Sequence, residues 1–169
     1  LSQMDIVALN QKIPELVTLK MRALQGDPSL TEIEKARLTL VAPYNLDAWD
    51  GYAAEREALY ATLRKVDKKV VVLAGDTHNA WASDLYNQSG AHVGLELATS
   101  SVSSPGLEKY LNIPLAQLQQ FELAFRTLID ELNYCNLNQR GYLTVHFTAQ
   151  QMQANWVFVS TIKDRQYTV

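Results

Sequence analysis

Residues 70–81 read Val-Val-Val-Leu-Ala-Gly-Asp-Thr-His-Asn-Ala-Trp, and the other segments are placed by reference to them. The aliphatic run at residues 70–74 shows no polar alternation, the pattern of a strand covered on both faces in a layered α/β protein. It stops at Gly75, where a turn is expected, and Asp76, Thr77, His78 and Asn79 follow at once. Loops beyond the carboxyl ends of such strands are where an open α/β sheet gathers its ligand chemistry. If the chain leaves the strand extended, Asp76 and His78 point to the same side. A carboxylate with an imidazole suits a divalent or trivalent metal ion better than either group alone. The same residues fit a plainer role, with Asp76 capping a short helix over residues 79–86 and His78 on the surface. The local pattern leaves both readings open.

Upstream of this stretch, Pro14 suits the first turn of a helix over about residues 14–24, with Leu16, Leu19 and Leu24 as its buried positions. Gly26-Asp27-Pro28 ends it. Thr31 and Glu34 match a capping box opening a second helix to about Leu38. Val41-Ala42-Pro43-Tyr44 breaks that helix, because a residue before proline avoids helical dihedrals. Residues 45–52 pack two acids and two large aromatics before a helix over about residues 53–66, with Leu59, Leu63 and Val66 at helical spacing. Asp50 fits the cap of that helix.

Downstream, residues 91–98 alternate as a strand and run into the hydroxyl-rich stretch Thr99-Ser100-Ser101-Val102-Ser103-Ser104. That stretch can line a polar pocket or serve as an ordinary surface loop. Leu118, Phe121, Phe125, Leu128 and Leu132 define a helix over about residues 114–132 whose apolar stripe needs a sheet to cover. Residues 133–137, 142–148 and 153–161 read as successive antiparallel strands. His92 and His146 lack neighbours that would make them ligands.

With 169 residues, 47% hydrophobic and 20% charged, the chain has the composition of a single globular domain over residues 1–169. A net charge of −3 without a basic cluster argues against a nucleic-acid-binding patch. No apolar run is long enough for a membrane span. One cysteine, Cys135, excludes an internal disulfide framework and a cysteine-cluster zinc site. The chain opens on Leu1, so its natural start is expected upstream.

Four segments in this order resemble the alkaline phosphatase D (PhoD-like) family of the metallophosphoesterase class. They are residues 45–52 (NLDAWDGY), 70–82 (VVVLAGDTHNAWA), 96–106 (ELATSSVSSPG) and 136–148 (NLNQRGYLTVHFT). The resemblance covers about residue 40 to the end and implies the C-terminal half of an α/β/β/α sandwich, two mixed sheets flanked by helices. It implies a phosphatase or phosphodiesterase whose metal-activated water attacks phosphorus, with calcium and iron as the metals and an extracytoplasmic location. By the same resemblance, Asp76 and His78 become the candidate catalytic, metal-ligating pair of a Gly-Asp-x-His motif. Asn79, Ser100 and Ser101 become candidate substrate-binding residues in the cleft wall.

The chain departs from that family in lacking the early Asp-rich ligand set and the Gly-Asn-His loop. Cys135 lies in the wrong place to serve as the family's iron ligand. Two ligands do not close a metal site, so the expectation is an incomplete catalytic domain. Its uncovered sheet faces should bind the missing N-terminal half or pair two copies as a dimer. The alternative is a non-catalytic interaction or structural module that retains part of the fold.

Overall fold

The computed structural model describes residues 3–39 and 46–169, with side chains from residue 12 onward. The proline break at residues 41–44 and Asn45 lie outside the described residues. Helix α1 (Gln3–Leu24) begins well before residue 14 and carries Pro14 in its interior. The missing N–H of Pro14 therefore removes one helical hydrogen bond instead of an end orphan. Leu19 of α1 is buried, while Leu24 is exposed. The capping box of α2 (Glu32–Thr39) forms as expected. The Thr31 N–H donates to Glu34 Oε2 at 2.8 Å, and the Glu34 N–H donates to Thr31 Oγ1 at 3.2 Å.

Helix α3 (Ala53–Arg64) follows a single 3-10 turn at Trp49–Gly51. Asp50 does not cap it; Tyr52 holds the cap position and Asp50 pairs with Arg56 at 3.5 Å. The buried residue of α3 is Tyr60, whereas Leu59 and Val66 are exposed. Its inner face is thus rotated by one residue from the leucine spacing.

The main sheet has four strands in the order β1-β3-β2-β4, formed by β1 (Val71–Ala74), β2 (Ala80–Tyr86), β3 (His92–Ala98) and β4 (Leu132–Asn136). Strand β1 runs parallel to β3, and β2 is antiparallel to both neighbours. A second sheet is the antiparallel hairpin of β5 (Arg140–Phe147) and β6 (Met152–Val159). The α/β class and the antiparallel hairpin match the sequence reading, while β4, the first of the three C-terminal strands, joins β2 in the main sheet.

Three further expectations change. Among the described strands β1 lies at an edge, and Leu73 is 55% exposed, so the aliphatic run is not covered on both faces. Residues 80–86 form the interior strand β2, not a helix capped by Asp76. The long C-terminal helix is also shorter than its apolar spacing. After the short helix α4 (Leu107–Tyr110), a 3-10 turn at Leu115–Gln117 leads into α5 (Leu118–Leu128), and the chain turns extended at Ile129. Leu132 is buried as a residue of β4.

Beneath the end of the sheet lies a cluster of Leu111, Ile113, Leu118 and Leu137, packed by Trp81, Leu107, Phe121 and Phe125. Trp81 meets the edge of Phe125 at a 6.2 Å ring separation. The hairpin docks on the main sheet through Trp156, whose Nε1–H donates to Ala98 O at 2.9 Å and whose ring lies 4.9 Å from that of Tyr134. Two residues of this cluster, Trp81 and Leu107, lie just beyond the loops that carry the candidate site.

Candidate functional site

Strand pairing brings the two polar loops together. Ala74, the last residue of β1, is registered against Ala98, the last residue of the parallel β3. The Thr99 N–H donates to Ala74 O at 3.0 Å, extending the ladder one step past both strands. Residues 75–79 and 99–106 therefore leave the same edge of the sheet side by side, at the carboxyl ends where parallel strands present their loops. Asp76 and His78 sit on the first loop, and Ser100 and Ser101 on the second.

The first loop is strained. Gly75 carries no positive φ, and the turn expected there falls instead on Asp76 and His78, at φ 65° and 61°. The Thr77 N–H closes back on Gly75 O at 2.8 Å, an i to i+2 hydrogen bond around Asp76. With positive φ at its centre this is the rarer, strained form of γ-turn. The chain is not extended through residues 76–78, so strand alternation is not what relates the two side chains. A left-handed conformation costs an ordinary residue roughly 1–2 kcal/mol, and such strain concentrates at functional positions.

The pair also has the hydrogen-bonding state a ligand needs. His78 Nδ1 lies 3.0 Å from Pro105 O. A carbonyl oxygen can only accept, so Nδ1 carries a proton, and in the neutral ring Nε2 keeps its lone pair. A backbone carbonyl on the far nitrogen is the usual support of a metal-binding histidine. The Asp76 carboxylate makes no hydrogen bond or ion pair with described residues. These donors fit a metal ion in type, but among the described residues no group of three His, Cys, Asp or Glu converges on one point.

The remaining candidates are built into the loops themselves. Asn79 is buried, with Nδ2 donating to Thr77 O at 2.7 Å and Oδ1 accepting the Leu107 N–H at 2.8 Å. It ties the first loop to the end of the second. Ser100 is buried with an unpartnered Oγ. Ser101 Oγ accepts the N–H groups of Ser103 at 3.2 Å and Ser104 at 2.8 Å and so shapes the serine turn. Ser101 O takes the Gly141 N–H at 3.0 Å, joining this turn to the hairpin.

Sequence reasoning missed Glu108 and Arg140. Arg140 Nη2 donates to Glu108 Oε1 at 2.6 Å between side chains only 9% and 6% exposed. Gly106, between Pro105 and this pair, admits no side chain. A Cβ there would lie 2.5 Å from Leu137 O and 2.7 Å from both Asn79 Oδ1 and Glu108 Oε2. An arginine at the head of an otherwise uncharged strand was the available signal, but its partner lies 32 positions away.

Elsewhere, burial and then the Asp50 charge raise the Glu96 carboxyl above its ordinary value. Burial, followed by the Glu122 charge, pushes the Cys135 thiol up to about 12. Its Sγ–H meets Glu122 O at 3.5 Å. This thiol is packed away as an inert core group. His92 pairs with Asp84 at 3.3 Å and His146 lies on β5, both apart from the site.

The fold and the strand register define first a class: an α/β domain whose candidate site sits on loops at the carboxyl ends of parallel strands. A solved structure described as "Structure of PhoD" matches 74% of this chain with a TM-score of 0.57 at 24% identity, a likeness of fold. Alkaline phosphatase D of Bacillus subtilis (strain 168) is 38% identical over 68 residues, 37% of this chain. The sequence model of the PhoD-like phosphatase family matches residues 6–156, and the chain belongs to that family. It spans 12% of the length of the Bacillus relative and 23% of the solved chain. No helix among the described residues is long and apolar enough to cross a membrane.

Proposed function

We propose that this chain contributes Asp76 and His78 to the metal site of a phosphatase or phosphodiesterase. The remaining donors come from polypeptide outside it. Membership of the PhoD-like phosphatase family supports the reaction class. The observation that carries the assignment is the strained turn that holds His78 with Nδ1 engaged by Pro105 and Nε2 bare. Strain of this kind is retained where the geometry serves a ligand.

In this reading the Asp76 carboxylate and His78 Nε2 are the protein's donors. A bound metal would supply charge neutralisation at the phosphoryl oxygens and a water acidic enough to attack at neutral pH. Calcium and iron are the metals proposed, from the family resemblance. Asn79 braces the ligand loop, Ser101 shapes the adjoining wall, and buried Ser100 backs it. An extracytoplasmic location is part of the same proposal.

The test is turnover of p-nitrophenyl phosphate and bis-p-nitrophenyl phosphate by the polypeptide that contains this chain, with calcium and iron supplied. Loss of a metal ligand removes several kcal/mol of transition-state stabilisation, about 100-fold or more in rate. Asp76→Asn and His78→Ala are each expected to show that loss while folding normally. Undiminished turnover in both would reject the assignment. Absence of turnover in the unaltered polypeptide would favour an interaction or structural module.

A further inference from the structure

We propose that the buried Glu108–Arg140 ion pair is a positioning latch, setting the His78 ring through the Pro105–Gly106 backbone. The proposal rests on the reading of His78 as a ligand through Nε2. His78 Nδ1 is held by Pro105 O at 3.0 Å, so the ring goes where that carbonyl goes. The next residue, Gly106, is enclosed by Asn79 Oδ1, Leu137 O and Glu108 Oε2. Three oxygens crowd the Gly106 Cα, so the peptide that presents the Pro105 carbonyl has little room to shift unless they move.

Glu108 is itself fixed. Arg140 Nη2 grips its Oε1 at 2.6 Å, and the Nη1 of the same arginine donates to Asn138 O. The Glu108 backbone carbonyl takes the Ile113 N–H at 2.8 Å, anchoring the short helix α4 (Leu107–Tyr110) to the apolar cluster. Beside Arg140, the Gly141 N–H holds Ser101 O, so the hairpin grips both ends of the serine loop.

The pair is poorly arranged for stability alone. Glu108 Oε2 and Arg140 Nε are enclosed without hydrogen-bond partners. Buried ion pairs contribute little beyond apolar residues of the same size, and specifying one conformation is the other property such a pair can supply. Here that conformation is one position of the Pro105 carbonyl, hence one tautomer and one orientation of His78.

The test is nitrogen-15 NMR of the histidine rings in the metal-free polypeptide that contains this chain, at a pH where the imidazoles are neutral. Unaltered His78 is expected to show one tautomer, Nδ1 protonated and Nε2 bare. The double variant Glu108→Leu/Arg140→Met keeps the volume and removes both charges. It should move the His78 signals toward those of a free imidazole that averages both tautomers, while His92 and His146 stay put. The Trp156 indole N–H signal reports whether the hairpin remains docked.

Unchanged His78 signals with Trp156 still docked would overturn the latch. If the double variant undocks the hairpin, Arg140→Lys decides. Lysine keeps the charge but loses the two-pronged grip, and a partial shift at His78 is expected. No shift in that variant would also overturn the proposal. An unaltered His78 that already averages its tautomers would overturn it outright. Calcium or iron(II) that leaves His78 signals unmoved in the polypeptide containing this chain would count against the ligand reading alone, since the latch is judged without metal.

Discussion

Replacing Gly106 by alanine should be one of the most damaging single-methyl changes in the chain. The added Cβ would stand 2.5 Å from Leu137 O and 2.7 Å from Asn79 Oδ1 and Glu108 Oε2. Ordinary contact begins at 3.4 Å, so each oxygen must retreat by about 0.7–0.9 Å. None can retreat freely. Leu137 is fully buried backbone, Asn79 is held at both ends of its amide, and Glu108 is gripped by Arg140. Overpacking of this kind costs about 1–3 kcal/mol. Displacing Asn79 Oδ1 from the Leu107 N–H adds about 1 kcal/mol, for a total near 2–4 kcal/mol. Urea unfolding of Gly106→Ala beside Gly75→Ala measures it, because a Cβ at Gly75 meets nothing within 4 Å. The control should stay within about 0.5 kcal/mol of the unaltered chain. A Gly106→Ala loss as small as the control's would refute the claim that this peptide is locked.

Three further outcomes follow from the same geometry. Asp76→Gly should relieve the left-handed turn at φ 65°. The gain of roughly 1–2 kcal/mol is offset by about 0.5–1 kcal/mol of added chain freedom, so the variant should match or exceed the parent in urea. Lys68→Gly, at a position whose own φ is not positive, should instead lose about 0.5–1 kcal/mol. Glu96→Gln should stabilise the chain at neutral pH. The folded pKa of Glu96 is raised above 4.5 by burial and then by Asp50, so its contribution is favourable below 4.5 and is lost as pH rises through the folded value. Thermal melts of the two proteins should therefore diverge at pH 7 and converge below pH 4.5. Cys135, buried and pushed up to about 12, should resist iodoacetamide at pH 8 until urea unfolds the chain; rapid labelling of folded protein would contradict its packing.

Much of the fold was legible where local pattern and tertiary role agree. The capping box at Thr31 and Glu34, strand β3 and the hairpin β5–β6 all announce themselves by spacing or alternation. Strand β2 was hidden because Ala80, Ala82, Ser83 and Asp84 have poor strand preference. Those residues are strand because β3 and β4 bracket them, and small Ala80 and Ala82 fit the buried face. The end of α5 was misread for a related reason. Leu132 continues the helical spacing of Leu118, Phe121, Phe125 and Leu128, yet it is buried as a strand residue after the chain turns at Ile129.

The site divides in the same way. Asp76 and His78 stand together after an aliphatic run, which sequence shows. Their positive φ values do not show, because a glycine beside them offers the more obvious turn. The Pro105 carbonyl and the Glu108–Arg140 pair are long-range features, joined to the loop of residues 75–79 only when β1 and β3 end in register.

The central claim is that Asp76 and His78 hold a metal used in phosphoester hydrolysis. The most direct measurement is metal content and p-nitrophenyl phosphate turnover on the same preparations of the polypeptide that contains this chain, unaltered and as His78→Ala. The account expects His78→Ala to fold, to retain less metal per chain and to lose turnover by about 100-fold or more. Equal metal content and equal turnover in the two proteins would contradict it.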